Sequence, residues 1–149
     1  MVEAAANSAT DQASACGRRY FGIEVPFMEY IGLDPVCLED GRCVTTLAWQ
    51  PELANSRGDI HGGTVMSAID FTMSAAARSH DRDRLGAVTM DMTTHFYDPA
   101  RSMLTIDARC IRRGRSLAFC EADVRNESGA VVVAARGIFK LIAIRGKAR

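Results

Sequence analysis

The stretch that decides the fold is HGGTVMSAIDFTMSAAA, residues 61–77. Apolar side chains recur in it at helical spacing, as at Val65, Ile69 and Met73, and most positions between them are also apolar or small. A helix that is apolar on nearly every side is expected to be buried nearly all round. We therefore predict one long central helix over residues 62–77, with the rest of the chain packed around it.

The segments on either side of this helix favour β-strands. Before it, the pattern predicts a short helix over residues 23–32 and a hairpin that turns at Asp40-Gly41. After it, alternating stretches bounded by turn residues predict four further strands. The predicted strands are residues 35–39, 42–49, 86–97, 102–111, 117–124 and 131–144. Strands gathered around one long helix indicate an α+β fold in which an antiparallel sheet wraps the helix.

The domain organisation follows from length and composition. A chain of 149 residues has the size of one domain and can bury a sizeable core. Residues 1–17 are rich in alanine and serine and hold almost no large apolar side chains. We predict that they form a disordered N-terminal tail and that residues 18–149 form a single domain.

The charge balance argues against one class of function. The chain carries 18 Lys and Arg against 18 Asp and Glu, a formal net charge of zero, so a nucleic-acid binder driven by basic charge is not indicated. The balance hides a split, because residues 1–100 have an acidic excess and residues 101–149 have an equal basic excess. The C-terminal part is therefore the basic part of the chain.

The expected location is the cytoplasm. No stretch is long and apolar enough to span a membrane, and the N-terminus lacks the pattern of a signal peptide. The five cysteines are odd in number and show no CxxC spacing, which is typical of reduced thiols in a cytoplasmic protein.

Asp70 is the most informative side chain of the central helix, because it is the only charged residue in positions 62–77. Burying an unpaired carboxylate is costly, so buried acids acquire a polar partner or resist ionisation. Asp70 is therefore either a structural acid, bonded or facing solvent, or a candidate general base.

Gly62 and Gly63 open the same helix, although glycine is a poor helix former. The pair is either a tight turn or an anion site, in which backbone N–H groups and the positive end of the helix dipole face a ligand. Gly62 and Asp70 are about 12 Å apart along the axis, too far for one reacting carbonyl to touch both. A site that uses both must combine two copies of the helix, antiparallel in a two-fold dimer.

The spacing around the helix resembles a known family. The pattern N-x5-H-G-G-x6-D, formed by Asn55, His61-Gly62-Gly63 and Asp70, is similar to that of the PaaI-type acyl-CoA thioesterases of the hotdog-fold superfamily. Three later segments extend the resemblance over residues 20–144: Thr89-Met-Asp-Met, Tyr97-Asp-Pro-Ala and Arg112-Arg-Gly-Arg115. The resemblance implies a hotdog fold, an acyl-CoA substrate, a homodimer that often pairs into a homotetramer, and no metal or prosthetic group.

The catalytic roles that the resemblance implies involve four residues. The backbone N–H of Gly62 would polarise the thioester carbonyl, and Asp70 of the facing subunit would activate water or attack the carbonyl itself. We favour the general base, because a carboxylate nucleophile would also need its anhydride hydrolysed. Asn55 would hold the water or the thioester. Thr89 falls where related enzymes often have a serine or threonine that helps to position the water, a point at which family members differ.

The remaining substrate contacts are expected at the helix start and on the basic segment. His61 would bond to the backbone and hold the glycine turn, and Gly63 would let the substrate approach closely. An apolar acyl pocket would draw on Met66, Met73 and the strand over residues 88–92. The basic segment is either a solvated turn or a contact for the phosphates of coenzyme A; its residues are Arg112, Arg113 and Arg115.

The leading prediction is hydrolysis of an acyl-CoA thioester to coenzyme A and a carboxylic acid. The main alternative is a hotdog protein that binds acyl-CoA without turnover, as a sensor or carrier, and the presence of Asp70 and Asn55 favours the enzyme. A serine or zinc hydrolase is not indicated, since the chain has neither GxSxG nor HExxH. A hotdog hydratase would need a histidine paired with an acid at its own spacing.

Overall fold

A computed structural model describes residues 20–144 of the chain. The elements are α1 (Pro26–Tyr30), β1 (Leu33–Glu39), β2 (Arg42–Leu47), α2 (Gly62–Arg78), β3 (Leu85–Phe96), β4 (Leu104–Arg113), β5 (Leu117–Arg125) and β6 (Val131–Ala143). Every element predicted within this part is present, with ends shifted by a few residues. The predicted tail, residues 1–17, lies outside the described residues.

The six strands form one antiparallel sheet in the order β1-β2-β4-β5-β6-β3. α2 contacts every strand of it, so the sheet wraps the helix and the predicted α+β architecture is confirmed. The order leaves β1 and β3 as the two edge strands. The chain enters one side of the sheet through β1 and β2, passes through α2, and begins the other side with β3.

The core lies between α2 and the inner face of the sheet. Val65, Ile69 and Met73 of α2 are at most 1% exposed, and Met73 packs against β6 where that strand has a glycine. A Cβ atom at Gly137 would lie 3.0 Å from the Met73 terminal methyl and 2.9 Å from the Phe139 ring. The absence of a side chain at Gly137 therefore allows the helix to sit close to the sheet.

The prediction that α2 is buried on nearly every side is wrong for the single chain. Gly63 is exposed, and Ser67, Asp70 and Ser74 are partly exposed. These residues are spaced by four, three and four positions, so they form one stripe along the helix. We call Gly63, Ser67, Asp70 and Ser74 the open stripe; it consists of small or polar residues, whereas the apolar positions other than Met66 are buried.

A β-bulge in β3 determines which of its side chains face α2. Thr89 pairs with Phe139 and Asp91 pairs with Ile138, so Met90 is an extra residue in the strand. Strict alternation would place Thr89 on the opposite face from Met92. The bulge instead turns both towards the helix.

A buried hydrogen bond joins α2 to β2 and leads to a stability prediction. The hydroxyls of Thr45 and Thr72 are 2.8 Å apart, both residues are fully buried, and Thr72 donates to the Ala68 carbonyl at 2.7 Å. Because a hydroxyl has one hydrogen to donate, Thr45 is the donor to Thr72.

Thr72→Val should therefore lower the free energy of unfolding by about 1–3 kcal/mol, since it leaves the Thr45 hydroxyl buried without an acceptor. Urea denaturation measures the loss. Thr45→Val is the matched control and should cost less, because Thr72 keeps its bond to Ala68. The double variant should be more stable than Thr72→Val alone; a less stable double variant would contradict the assignment of donor and acceptor.

Candidate active site

The start of α2 leaves one backbone N–H without an acceptor. His61 is the N-cap, and its imidazole Nδ1 accepts the N–H of Gly63 at 2.9 Å. Its carbonyl accepts the N–H groups of Thr64 and Val65 at 2.9 and 3.2 Å. Of the first four helix N–H groups, only that of Gly62 has no acceptor within residues 20–144. A ligand oxygen at this helix start would therefore meet the Gly62 N–H.

The two glycines thus have different surroundings. The imidazole of His61 bonds to the glycine turn as predicted, and it occupies the Gly63 N–H. A Cβ atom at Gly63 would lie 3.1 Å from the His61 Nδ1, so the cap itself leaves little room for a side chain there. A Cβ atom at Gly62 would only touch the Phe96 ring, at 3.4 Å. Gly62 therefore lies where the helix start meets the end of β3.

Asp70 has the polar partner that an acid on an apolar helix requires. The Thr89 hydroxyl donates to the Asp70 Oδ1 at 2.5 Å, a length typical of a hydrogen bond to a charged acceptor. The bulge at Met90 makes this contact possible, because it turns Thr89 towards α2. The Asp70 Oδ2 has no hydrogen-bond donor within residues 20–144, so one carboxylate oxygen is held and the other is open.

Asn55 organises the loop that leads into the helix. Its side-chain Oδ1 accepts the N–H groups of Arg57 and Asp59 at 2.8 and 3.2 Å, and its own N–H donates to the Asp59 carbonyl at 2.7 Å. Within residues 20–144, no acceptor bonds to the Asn55 side-chain N–H groups. Asn55 therefore shapes the turn with its oxygen and keeps two donors for a ligand.

An ion pair that sequence reasoning missed holds this loop in place. The Asp59 side chain is 6% exposed, and the Arg101 Nε donates to it at 2.6 Å. That guanidinium holds the pKa of Asp59 below its ordinary value. The two residues are 42 positions apart, so no local pattern points to the pair. It positions Asn55 indirectly, because the Asp59 backbone bonds to Asn55.

The Asp59–Arg101 pair predicts an acid-sensitive contribution to stability. A carboxyl whose pKa is lowered in the folded state stabilises the fold at pH values above its ordinary pKa of 3.8, and this contribution is lost as the pH falls through the lowered value. Asp59→Asn should therefore flatten the loss of thermal stability on acidification, as measured by melting curves from pH 7 to pH 2. Asp98→Asn, at an exposed acid without an ion pair in residues 20–144, should leave the profile unchanged. An unchanged profile in Asp59→Asn would contradict the role of the pair.

The two methionines predicted for the acyl pocket have different positions. Met73 is fully buried in the core against Gly137, so in this structure it is a core residue and does not line an open pocket. Met66 is partly exposed beside the open stripe. The strand over residues 88–92 has exposed apolar side chains, with Val88 45% and Met90 60% exposed.

The prediction that the basic segment forms a single turn is wrong. The segment is divided between the end of β4 and the turn that follows it. Arg112 and Arg113 are the last residues of β4, and the turn comprises residues 114–116. Arg112 and Arg115 are exposed. Arg113 points inward, with its Nη1 3.4 Å from Asp40 and its Nε and Nη2 buried without acceptors. Arg113 is therefore poorly placed to meet a phosphate.

The basic segment lies at the far end of α2 from Gly62. Arg113 contacts Asp40, and the next residue, Gly41, donates its N–H to the Ser79 hydroxyl at 2.7 Å just after α2 ends. Within one chain, the structure therefore brings Asp70 to Thr89 and Gly62 to Phe96, but it separates Gly62 from the arginines by the length of the helix.

A groove of about 840 Å³ lies on the outer face of the sheet, away from α2. Its acidic and basic side chains form pairs with each other, such as Arg125 with Asp123 at 3.3 Å and Arg136 with Glu121 at 3.7 Å. None of the predicted catalytic residues lines it. We therefore place the candidate site at the open stripe and not in this groove.

Two further features are absent from residues 20–144. No group of three or more His, Cys, Asp or Glu side chains is placed to hold a metal ion. Within the same residues, no helix is long and apolar enough to cross a membrane.

Comparison with known proteins identifies the family. The model of the thioesterase superfamily matches residues 57–133, which include α2, β3, β4, β5 and the start of β6. The chain belongs to this superfamily. Its reaction class is thioester hydrolysis, and the predicted family resemblance is confirmed.

Individual relatives agree with the assignment. The acyl-coenzyme A thioesterase PaaI of Escherichia coli is 26% identical over 109 residues, which is 72% of this chain and 76% of PaaI. Human acyl-coenzyme A thioesterase 13 is 26% identical over 96 residues, 63% of this chain and 68% of the human protein. A conserved Pseudomonas aeruginosa protein, PA5202, superposes with a TM-score of 0.76 at 31% identity, covering 80% of this chain and 95% of PA5202.

The solved structure of E. coli PaaI superposes with a TM-score of 0.75 at 23% identity, covering 83% of this chain and 88% of PaaI. At this identity the likeness speaks for the fold, and it confirms the predicted hotdog arrangement.

Proposed function

We propose that the chain is an acyl-CoA thioesterase, which hydrolyses an acyl-CoA to coenzyme A and a carboxylic acid. Two groups on one helix carry the proposal: the Gly62 N–H, which has no acceptor within the described residues, and the Asp70 carboxylate. The Oδ1 of Asp70 is held by Thr89, and its Oδ2 is open. The first group can stabilise negative charge on a carbonyl oxygen, and the second can take a proton from water. Relatives named as acyl-coenzyme A thioesterases support this substrate class and give no support to a binding protein without turnover.

The site is proposed to form between two copies of the chain that join along β3. This strand is 12 residues long, forms an edge of the sheet and contains no proline. Its exposed side chains include Val88, Met90 and Phe96, each at least 45% exposed. A long edge strand that exposes apolar side chains is a template for pairing with another strand. The other edge, β1, is interrupted by Pro35 and a bulge beside it, so it is the poorer template.

Two-fold pairing of β3 with its copy would bring the two open stripes together. The helices would then run antiparallel, with Met66, the midpoint between Gly62 and Asp70, close to the two-fold axis. Gly62 of one subunit would face Asp70 of the partner subunit, which removes the separation of about 12 Å along a single helix. The dimer would also cover the small and polar face of α2. Pairing of such dimers into a tetramer stays a prediction.

In this arrangement each residue has one role in the reaction. The Gly62 N–H donates to the thioester oxygen and stabilises the negative charge that develops when water attacks the carbonyl. The Asp70 Oδ2 accepts the proton of that water, while the Thr89 hydroxyl holds Oδ1 and so aims the carboxylate. The Asn55 side-chain N–H groups donate to the water or to the thioester. Collapse of the intermediate breaks the C–S bond, and the thiolate of coenzyme A leaves and takes up a proton.

The same arrangement would place the basic segment of one subunit near the site that it shares with the other subunit. The far end of one α2 would extend past Gly62 of the other subunit, because the helices are antiparallel. Arg112 and Arg115 of the subunit that supplies Asp70 would then lie beyond Gly62 of the other subunit. This is the side on which the coenzyme part of the bound substrate would extend out of the site. Exposed arginines are well suited to phosphate, so these two, and not Arg113, are proposed to meet the phosphates of coenzyme A.

Removal of the base should abolish most turnover. Asp70→Asn keeps the size of the side chain and should lower kcat about 10²–10⁴-fold, as measured by thiol release from a panel of acyl-CoAs. Thr89→Val should cause a smaller loss, because Asp70 remains but is no longer held. Full activity in Asp70→Asn, or a wild type that binds acyl-CoA in calorimetry without releasing thiol, would contradict the proposed mechanism.

A mixing experiment tests whether two subunits share the site. Gly62→Pro removes one N–H and nothing else that the fold requires, since proline is tolerated at the first helical position and His61 already has the extended backbone, with ψ at 133°, that precedes proline. We expect Gly62→Pro and Asp70→Asn each to be nearly inactive.

After equal amounts of the two variants are unfolded and refolded together, half of the dimers should be mixed. Each mixed dimer has one intact site out of two, so about a quarter of the wild-type activity should return. Gly62→Ala, which keeps the N–H, is the control for Gly62→Pro and should retain more activity. No recovery on mixing would contradict the shared site.

A further inference from the structure

Two cysteines that the proposed reaction does not use face each other across the sheet. Cys110 of β4 and Cys120 of β5 are directly paired in the antiparallel register. Both are on the inner face, since Cys120 is 1% exposed and Cys110 packs against the same core. Facing Cα atoms in an antiparallel pair are about 4.5–5.5 Å apart. This separation lies within the range of about 4.4–6.8 Å that a disulfide spans.

The backbone next to the pair can adjust to a bond. The register of β4 shifts between Cys110 and Arg112, so Ile111 is an extra residue in a bulge immediately beyond Cys110. A bulge interrupts the ladder of hydrogen bonds locally. The small movements that bring two sulfur atoms to bonding distance are therefore easier here than in the middle of a regular strand.

The other two cysteines of the described residues provide an internal contrast. Cys37 and Cys43 also lie on neighbouring strands, but Cys37 pairs with Val44 and Cys43 pairs with Leu38. Adjacent residues of a strand point to opposite faces, so Cys37 and Cys43 lie on opposite sides of the sheet. Neighbouring strands alone therefore do not bring two thiols together in this chain; the register does so for Cys110 and Cys120.

The two thiols differ in their access to solvent. Cys110 is half-buried, whereas Cys120 is buried, so an oxidant reaches Cys110 first. Burial, and the neighbouring Cys110, raise the pKa of the Cys120 thiol. The positive charge of Arg113 acts on Cys120 in the opposite direction, and two of its buried nitrogen atoms have no acceptor. Its burial behind the more accessible Cys110 places Cys120 to react second, after Cys110 has been oxidised.

We propose that Cys110 and Cys120 form a reversible cross-strand disulfide when the protein meets a peroxide. The Cys110 thiolate attacks one oxygen of the peroxide, the O–O bond breaks, and the leaving hydroxide takes up a proton to become water. The sulfur of Cys120 then attacks the sulfenic acid sulfur of Cys110, and the displaced hydroxide leaves as water with the proton of Cys120. Two thiols are oxidised by two electrons, and one peroxide is reduced to two waters.

The experiment treats the reduced full-length protein with hydrogen peroxide and blocks the remaining thiols under denaturing conditions. A digest without reductant should contain one cross-linked product that joins the Cys110 and Cys120 peptides and has lost two hydrogens. The number of free thiols should fall from the five of the chain by two, and dithiothreitol should restore it. The readout does not depend on thioesterase activity, so it stands or falls separately from the proposed function.

Matched variants make the test specific. Cys110→Ser, at the half-buried position, should abolish the cross-link and leave Cys120 as a free thiol, with the fold checked by circular dichroism. Cys37→Ser should leave both the cross-link and its rate unchanged. Retention of all five thiols, oxidation of Cys110 that stops at sulfenic or sulfinic acid, or a cross-link between any other pair of cysteines would overturn the proposal.

Discussion

The close packing of α2 against the inner face of the sheet is the constraint on which the rest of the molecule depends. Small residues on both sides make it possible, as where Gly137 leaves room for Met73. Because one face of the helix is committed to the sheet, its small and polar positions are left facing outward as the open stripe. The acid and the free N–H of the proposed site both belong to this helix, so the packing of the fold also sets where chemistry can occur.

Local deviations from regular structure then orient the functional groups. At the helix start, His61 takes the Gly63 N–H and leaves that of Gly62 free. In β3, the extra residue Met90 turns Thr89 to face Asp70. A perfectly capped helix or a perfectly alternating strand would have removed one of these contacts. The proposed site therefore rests on one cap and one bulge, each supported by regular structure around it.

Much of the fold could be predicted because its signals are local. The apolar run of α2, the turn at Asp40-Gly41 and the alternation of β5 each depend on residues within a few positions of one another. The Asp59–Arg101 pair could not be predicted, since its partners are 42 positions apart and neither is unusual in its own segment. Arg113 resembled its exposed neighbours in sequence, yet the strand phase after a bulge turns it inward.

The sequence by itself determined the central helix, the antiparallel strands, the isolated acid on the helix and the pair of glycines at its start, because hydrophobic periodicity and turn chemistry act over short distances. Only the tertiary structure decided which N–H group is free, which oxygen of Asp70 is held, which cysteines face each other and which face of α2 stays open. These features depend on strand register, on bulges and on contacts between distant segments. Register and bulges are set when the whole sheet closes on the helix, and no single stretch of sequence contains them.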